Sequence, residues 1–195
     1  MRIIFATKNE GKVREISEML AETKIELISL NHLGSLPEII EDGRSYLENA
    51  LKKARIISEF TGETVLADDS GIEVDALGGE PGIYSARFAG SEATDDENNA
   101  KLLLLLKEVP PEKRTATFHC SLVLYHSKEC YTSFEARWEG RIIDDCRGQN
   151  GFGYDPIFLV LALNKTAAEL PPEIKNKISH RGQAFEKLRK YLMKG

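Results

Sequence analysis

Apolar residues in this chain follow two rhythms: short unbroken runs, and runs spaced to cover one face of a helix. Arg2 to Thr7 is a brief apolar run closing in turn residues, which predicts a buried strand. Val13, Ile16, Met19 and Leu20 then recur at helical spacing and predict an amphipathic helix from about Gly11 to Glu22. Ile25 to Leu30 reads as a second strand. Ser45-Tyr46-Leu47-Glu48 has the form of a capping box, and Leu47, Ala50, Leu51, Ala54 and Ile57 continue one helical face behind it. Thr64 to Ala67 is a third strand, running into Asp68-Asp69-Ser70-Gly71.

Gly78-Gly79-Glu80-Pro81-Gly82 marks a turn. A second capping box, Thr94-Asp95-Asp96-Glu97, opens a helix through the leucines at 102 to 106, ended by Pro110 and Pro111. Arg114 to Trp138 is rich in Thr, Phe, Val, Leu and Tyr and predicts two long antiparallel strands turning near Ser127-Lys128. Gly148, Gly151 and Gly153 precede a strand from Pro156 to Leu161. Pro171-Pro172 leads a short helix, and Phe185, Leu188 and Leu192 mark a final one. Strands alternating with helices around an antiparallel insert specify an α/β protein with a mixed central sheet flanked by helices. The 195 residues show no repeat and no low-complexity linker. A single domain spanning 1–195 is expected, with two lobes flanking a cleft rather than two independent domains.

At 42% hydrophobic and 29% charged residues, the chain has the composition of an ordinary soluble globular protein. Lys and Arg total 26 against 31 Asp and Glu, a formal charge of -5. That balance disfavours a dedicated nucleic-acid binder but leaves room for a nucleotide in a locally positive pocket. Cys120, Cys130 and Cys146 form no CxxC pair, so zinc and dithiol chemistry are disfavoured and reduced thiols are expected. The N-terminus turns polar too soon for a secretory segment. Ile157 to Leu163 falls far short of the roughly 20 apolar residues that span a bilayer. A cytoplasmic protein without membrane attachment is expected.

Three stretches carry candidate chemistry. Thr7-Lys8-Asn9-Glu10-Gly11-Lys12 joins a strand to a helix, where free N–H groups and a partial positive charge attract phosphate. Thr7 and Asn9 can donate hydrogen bonds, Lys8 and Lys12 can neutralise charge, and Gly11 admits a close backbone approach. The GxxxxGK[ST] spacing of a Walker A loop is missing, and the same residues would serve an ordinary turn with solvated lysines. Asp68 and Asp69 are neighbours in an extended backbone, so their side chains should point to opposite faces. One can then face a cleft and bind Mg²⁺ while the other is held by backbone donors or a lysine. Few carboxylates plus substrate phosphates suffice for Mg²⁺, and a carboxylate beside the ion can deprotonate a water. The competing reading is an Asx-turn closed by Ser70-Gly71. Glu41 and Glu48 are candidate second acids. Glu48 is already employed by its capping box, whereas Glu41 sits in a loop beside Asp42-Gly43.

Phe152-Gly153-Tyr154-Asp155-Pro156 sets aromatic faces beside a glycine, suited either to stacking on a purine or to a core pair at a strand start. Pro156 biases Asp155 toward an extended backbone. His180 and Arg181 lie just before the last helix. Arg181, a donor-only fork, suits the 6-oxo group of hypoxanthine, xanthine or guanine and opposes the 6-amino group of adenine. The alternative is a solvated helix start capped by Ser179.

In this order the motifs resemble those of the inosine triphosphate pyrophosphatase family, over nearly the whole chain. The resemblance is carried by Ala6 to Lys12, by Glu48-Asn49-Ala50 through Lys53-Ala54, and by Ala67 to Gly71. It continues through Gly79 to Arg87 and Gly151 to Pro156, and ends with Lys175 and Ile178 to Gly182. It implies hydrolysis of ITP, dITP and XTP between the α- and β-phosphates, with Mg²⁺, giving nucleoside monophosphate and pyrophosphate. It also implies an elongated mixed sheet between two lobes, and a homodimer. By matched position, Asp69 would be the general base and a metal-site residue, with Glu41 as the second metal residue. Thr7, Lys8, Asn9, Glu10, Gly11 and Lys12, with Lys53 and Lys175, would hold phosphates, and Ser70 would contact substrate. Phe152, Gly153, Tyr154 and Asp155, with His180 and Arg181, would hold the base. Lys8 stands where many relatives carry glycine, either adding phosphate charge or facing solvent.

The rival functions are a pyrophosphatase for pyrimidine or modified nucleotides, a nucleotide sensor without turnover, and a nucleic-acid-binding module. Within the favoured reading GTP is the hardest competitor, because a pocket that only rejects an added group discriminates weakly.

Overall fold

The computed structural model describes residues 1–21, 23, 25–127 and 130–193. Its strands are β1 (Arg2–Phe5), β2 (Glu26–Ser29), β3 (Val65–Val74), β4 (Thr115–Ser127), β5 (Cys130–Ile142), β6 (Phe158–Val160) and β7 (Lys165–Thr166). Its α-helices are α1 (Glu10–Leu20), α2 (Tyr46–Thr61), α3 (Asp95–Leu105), α4 (Pro172–Ile178) and α5 (His180–Leu192). Among the described residues the strands form one sheet in the order β2-β1-β3-β4-β5-β6-β7. β1 runs parallel to β2 and β3, while β6 runs antiparallel to β5 and β7, so the sheet is mixed, as expected.

The chain divides into two compact units. One comprises Met1–Asp69, Cys120–Ala136 and Arg181–Gly195, the other Ser70–His119 and Arg137–His180. The crossings fall inside β3, β4 and β5 and at the start of α5, so neither unit is a contiguous stretch of sequence. Among the described residues no helix is long and apolar enough to cross a membrane.

In the first unit β3 separates two apolar clusters by its two-residue period. Leu66 packs with Ile3, Phe5, Ile16, Leu122, Phe185 and Leu188, which brings in α1 and α5. Val65 and Ala67 pack with Ile4, Ala50, Ala54, Ile57 and Val123, which brings in α2. The second unit has its own core, in which Ile72, Val74, Leu102, Leu106, Phe118, Trp138 and Phe158 meet.

Several local expectations are corrected. β3 does not stop at Ala67 for an Asx-turn; it continues through Asp68 and Asp69 to Val74. The box at Ser45 is half formed: Ser45 accepts the Glu48 N–H, but the Glu48 carboxylate accepts the Arg44 N–H at 2.7 Å instead of the N-cap's. The box at Thr94 is complete. Asp155 opens a 3-10 turn (Asp155–Ile157) with Pro156 in its first turn, not an extended segment. The two-residue strand β7 is too short to leave a periodic signal. The predicted end of the first helix at Glu22 and the turn residue Lys128 lie outside the described residues.

Candidate active site

The link from β1 to α1 is a tightly capped helix start. Asn9 is the N-cap, its side-chain oxygen accepting the Lys12 N–H at 3.0 Å, and the Asn9 N–H donates to Thr7 Oγ1 at 3.1 Å. Thr7 and Asn9 therefore shape the turn whose partial positive charge would face an anion. Lys8 is exposed and Gly11 is buried in the first turn of α1. Glu10 accepts a hydrogen bond from Asn31. The Lys12 ammonium is paired with Asp68.

Asp68 and Asp69 diverge, as alternation along a strand requires. Asp68 is completely buried and receives Lys12, Arg181 Nε at 2.9 Å and the Cys120 thiol at 3.4 Å. Arg181 is itself 2% exposed, and its Nη1 donates to buried Glu15 on α1 at 2.6 Å. The reading of a solvated helix start at His180-Arg181 is thereby overturned, and the fork expected to meet the base has two of its nitrogens on carboxylates. Burial pushes the Cys120 thiol well above its usual range, with Asp68 adding to the effect.

Asp69 lies on the α2 side of β3. Its Oδ2 accepts from Asn49 Nδ2 at 3.2 Å, and its Oδ1 is 3.4 Å from Lys53 Nζ. The same ammonium is 3.1 Å from Glu41 Oε1, so one cation sits between the two acids expected to bind a metal. Burial raises the Asp69 pKa above the ordinary carboxylate value, and Lys53 and Lys12 only partly offset it. Burial would depress Lys53, but Asp69 and Glu41 beside it hold its pKa above the usual lysine value. Glu48 is committed to the start of α2, which leaves Glu41 as the second acid near Asp69.

Asn49 was absent from the expected site residues. It is fully buried, and while its amide donates to Asp69 its carbonyl accepts the Gly43 N–H at 2.8 Å. It thus ties the loop carrying Glu41 to the acid on β3. A Cβ at Gly43 would stand 2.6 Å from Asn49 Oδ1, so glycine is what lets that loop close in. The available signal was a polar residue four positions before Lys53 on a helical face shared with Ala50 and Ala54.

A cavity of about 680 Å³ lies in this unit, and its lining combines Thr7, Lys8, Glu41 and Lys53 with the apolar residues Leu33, Leu36 and Ile39. Phosphate-type donors, an acid and a lysine thus open onto one space. Among the described residues no group of three or more His, Cys, Asp or Glu side chains is arranged to hold a metal.

The second unit carries the remaining candidates. Ser70 is half-buried in β3. Asp155, 2% exposed, accepts the Phe152 N–H at 2.9 Å and pairs with Lys175. The Lys175 ammonium also lies 5.2 Å from the centre of the Phe152 ring. Lys175, expected among the phosphate lysines, thus has base-binding candidates as its partners. Tyr154 is corrected too: it belongs to the core and its hydroxyl donates to Ser85 O at 2.8 Å, so Phe152 is the aromatic left partly exposed. His180 is buried, its ring stacked on Phe118 at 4.7 Å between centroids and 7° between planes. One face of the imidazole is thus already covered. Gly153 has φ of +62°, and Gly151 has φ of +76° with Asp155 Oδ2 2.0 Å from where a Cβ would be. Both positions require glycine.

The chain is similar to known proteins over nearly its whole length. The Ham1 family profile matches residues 3–191. A dITP/XTP pyrophosphatase of Geobacter sulfurreducens is 48% identical over 191 residues, covering 98% of this chain and 96% of its own. One from Yersinia pestis is 50% identical over 187 residues, covering 95% and 94%. A HAM1 protein from Coxiella burnetii superposes with a TM-score of 0.90 at 42% identity, covering 100% of both chains. The Staphylococcus aureus Ham1 protein superposes with a TM-score of 0.86 at 38% identity, covering 99% and 98%.

Proposed function

This chain belongs to the Ham1 family, and we propose that it hydrolyses dITP, XTP and ITP to the nucleoside monophosphate and pyrophosphate. The observation that carries the proposal is the Lys53 ammonium between Asp69 and Glu41, with Lys53 and Glu41 lining one cavity with Thr7 and Lys8. Removing such nucleotides from the pool would keep them out of DNA and RNA.

The donor set fits Mg²⁺. Asp69 and Glu41 are hard oxygen ligands, few in number, as this ion prefers when phosphates complete its shell. A cation, the Lys53 ammonium, already sits between them. Asp69 and Glu41 would hold the ion, which supplies charge neutralisation on the phosphates.

The chain's own residues do the rest. The capped start of α1, with Lys8 and Lys53, neutralises the triphosphate and stabilises the charge that moves onto pyrophosphate. Asp69 takes the proton of a water in line with the α-phosphorus. Asn49 holds that carboxylate in one orientation. Phe152 offers its ring to the purine, with Lys175 and Asp155 setting the polar edge beside it. His180 and Arg181 would complete the base contact, the imidazole with one face on Phe118 and the guanidinium held by Asp68 and Glu15. The same reading takes the protein to be a cytoplasmic homodimer acting as a single domain, a state that light scattering would measure.

Product analysis tests the proposal. Incubation with XTP or dITP and Mg²⁺ should give monophosphate and pyrophosphate. Diphosphate with orthophosphate, or nucleotide binding without any turnover, would contradict it.

A further inference from the structure

The turn from Gly151 to Asp155 is held from outside by α3. The Gly153 N–H donates to Asp95 Oδ2 at 2.6 Å, and the Gly153 carbonyl accepts from Asn99 Nδ2 at 3.0 Å. Both polar groups of one residue are thus gripped by side chains one helical turn apart. The next residue is fixed as well, since Tyr154 donates to Ser85 O, and Ser85 Oγ accepts the Ile72 N–H at 2.8 Å. Asn98, between the two gripping residues, accepts the Ala89 N–H at 2.8 Å and donates to Ala86 O at 3.2 Å.

Asn99 shows that this grip is not simply stabilising. It is 4% exposed, and its Oδ1 is buried with no hydrogen-bond partner. A buried acceptor left unpaired is costly, and the opposite amide orientation would set oxygen against the Gly153 carbonyl. The amide is therefore oriented by Gly153, at the expense of its own second group. Gly153 in turn sits between Phe152, whose N–H is on Asp155, and core-anchored Tyr154.

We infer that Asp95 and Asn99 are positioning residues for purine recognition: they set the Gly153 peptide and through it the Phe152 ring and the Asp155–Lys175 pair. The inference rests on the proposed function, in which this turn meets the base. Neither residue need touch the nucleotide.

Two variants remove the grip, the first with little change of volume. Asn99→Asp places an acceptor against the Gly153 carbonyl, and Asp95→Ala removes the acceptor for its N–H. Asp95→Asn keeps a carbonyl there and serves as the conservative rescue. Binding of XMP, GMP and inorganic pyrophosphate is measured by calorimetry, and turnover of XTP by pyrophosphate release. Asn99→Asp and Asp95→Ala should weaken XMP binding about tenfold and narrow the XMP-to-GMP ratio, the size expected for one lost or inverted buried hydrogen bond. The KM for XTP should rise more than kcat falls, pyrophosphate affinity should stay as in the wild type, and Asp95→Asn should restore most of the XMP affinity. Equal loss of XMP and pyrophosphate affinity, or unchanged XMP binding and selectivity in both variants, would overturn the inference. A wild type that binds XMP but releases no pyrophosphate from XTP would sink the enzymatic reading, while the binding ratios would still decide the role of α3.

Discussion

Asp68 and Asp69 are neighbours on β3, yet Asp68 is bound to Lys12 and Arg181 while Asp69 is bound to Asn49 and Lys53. A strand turns successive side chains to opposite faces, and here each face brings different cations. One acid is a buried structural anchor and the other carries the proposed chemistry.

Exchanging each acid for its amide should separate the two roles. Asp68→Asn leaves Arg181 and Lys12 short of a buried counter-charge and should cost about 3–5 kcal/mol of stability in urea unfolding. Asp69→Asn should abolish pyrophosphate release while leaving the urea midpoint at or above that of the wild type. A stable, active Asp68→Asn protein would contradict this division.

The raised pKa of Asp69 has a defined sign in stability. Between its unfolded and folded values the native state binds more protons than the unfolded one, so stability falls as pH rises through that window. For metal-free protein, Asp69→Asn should therefore melt above the wild type at pH 7. The gap should close below the ordinary carboxylate range, where Asp69 is protonated in both states. Melting curves from pH 3 to 8 measure it, and a gap that widens toward acid pH would refute it.

Lys53 is the cation between two acids, and Lys53→Met leaves Asp69 and Glu41 facing each other. The Asp69 pKa should climb further, and kcat/KM for XTP should drop about 10²-fold or more, as when a preorganised charge is removed from a phosphate site. Chelation of divalent ions should stop turnover of wild-type protein, and added Mg²⁺ should restore it; pyrophosphate assays follow both.

At Gly151, with φ of +76°, a methyl group would stand 2.0 Å from Asp155 Oδ2 and 3.1 Å from Lys175 Nζ. Gly151→Ala should force the Asp155–Lys175 pair apart. XMP binding should fall about tenfold, the scale of a strained left-handed residue and one broken buried contact, with pyrophosphate affinity unchanged in calorimetry.

Much of this molecule is written in local order. Ile16 and Leu20 announce α1, Ala50, Ala54 and Ile57 announce α2, and Thr94 with Glu97 announces the start of α3, because periodicity and capping act within a few residues. The opposed directions of Asp68 and Asp69 follow from the geometry of any strand. What each acid meets does not. That Lys12 and Arg181 converge on Asp68, that Tyr154 enters the core while Phe152 stays partly exposed, and that His180 lies on Phe118 depend on contacts between residues far apart in the chain. The same holds for Glu15 and Asn49, polar positions on helical faces whose burial is tolerable only because Arg181 and Asp69 arrive to pair with them. A charge's partner is a long-range property, since the desolvation that makes the pair matter exists only once distant elements have closed around it.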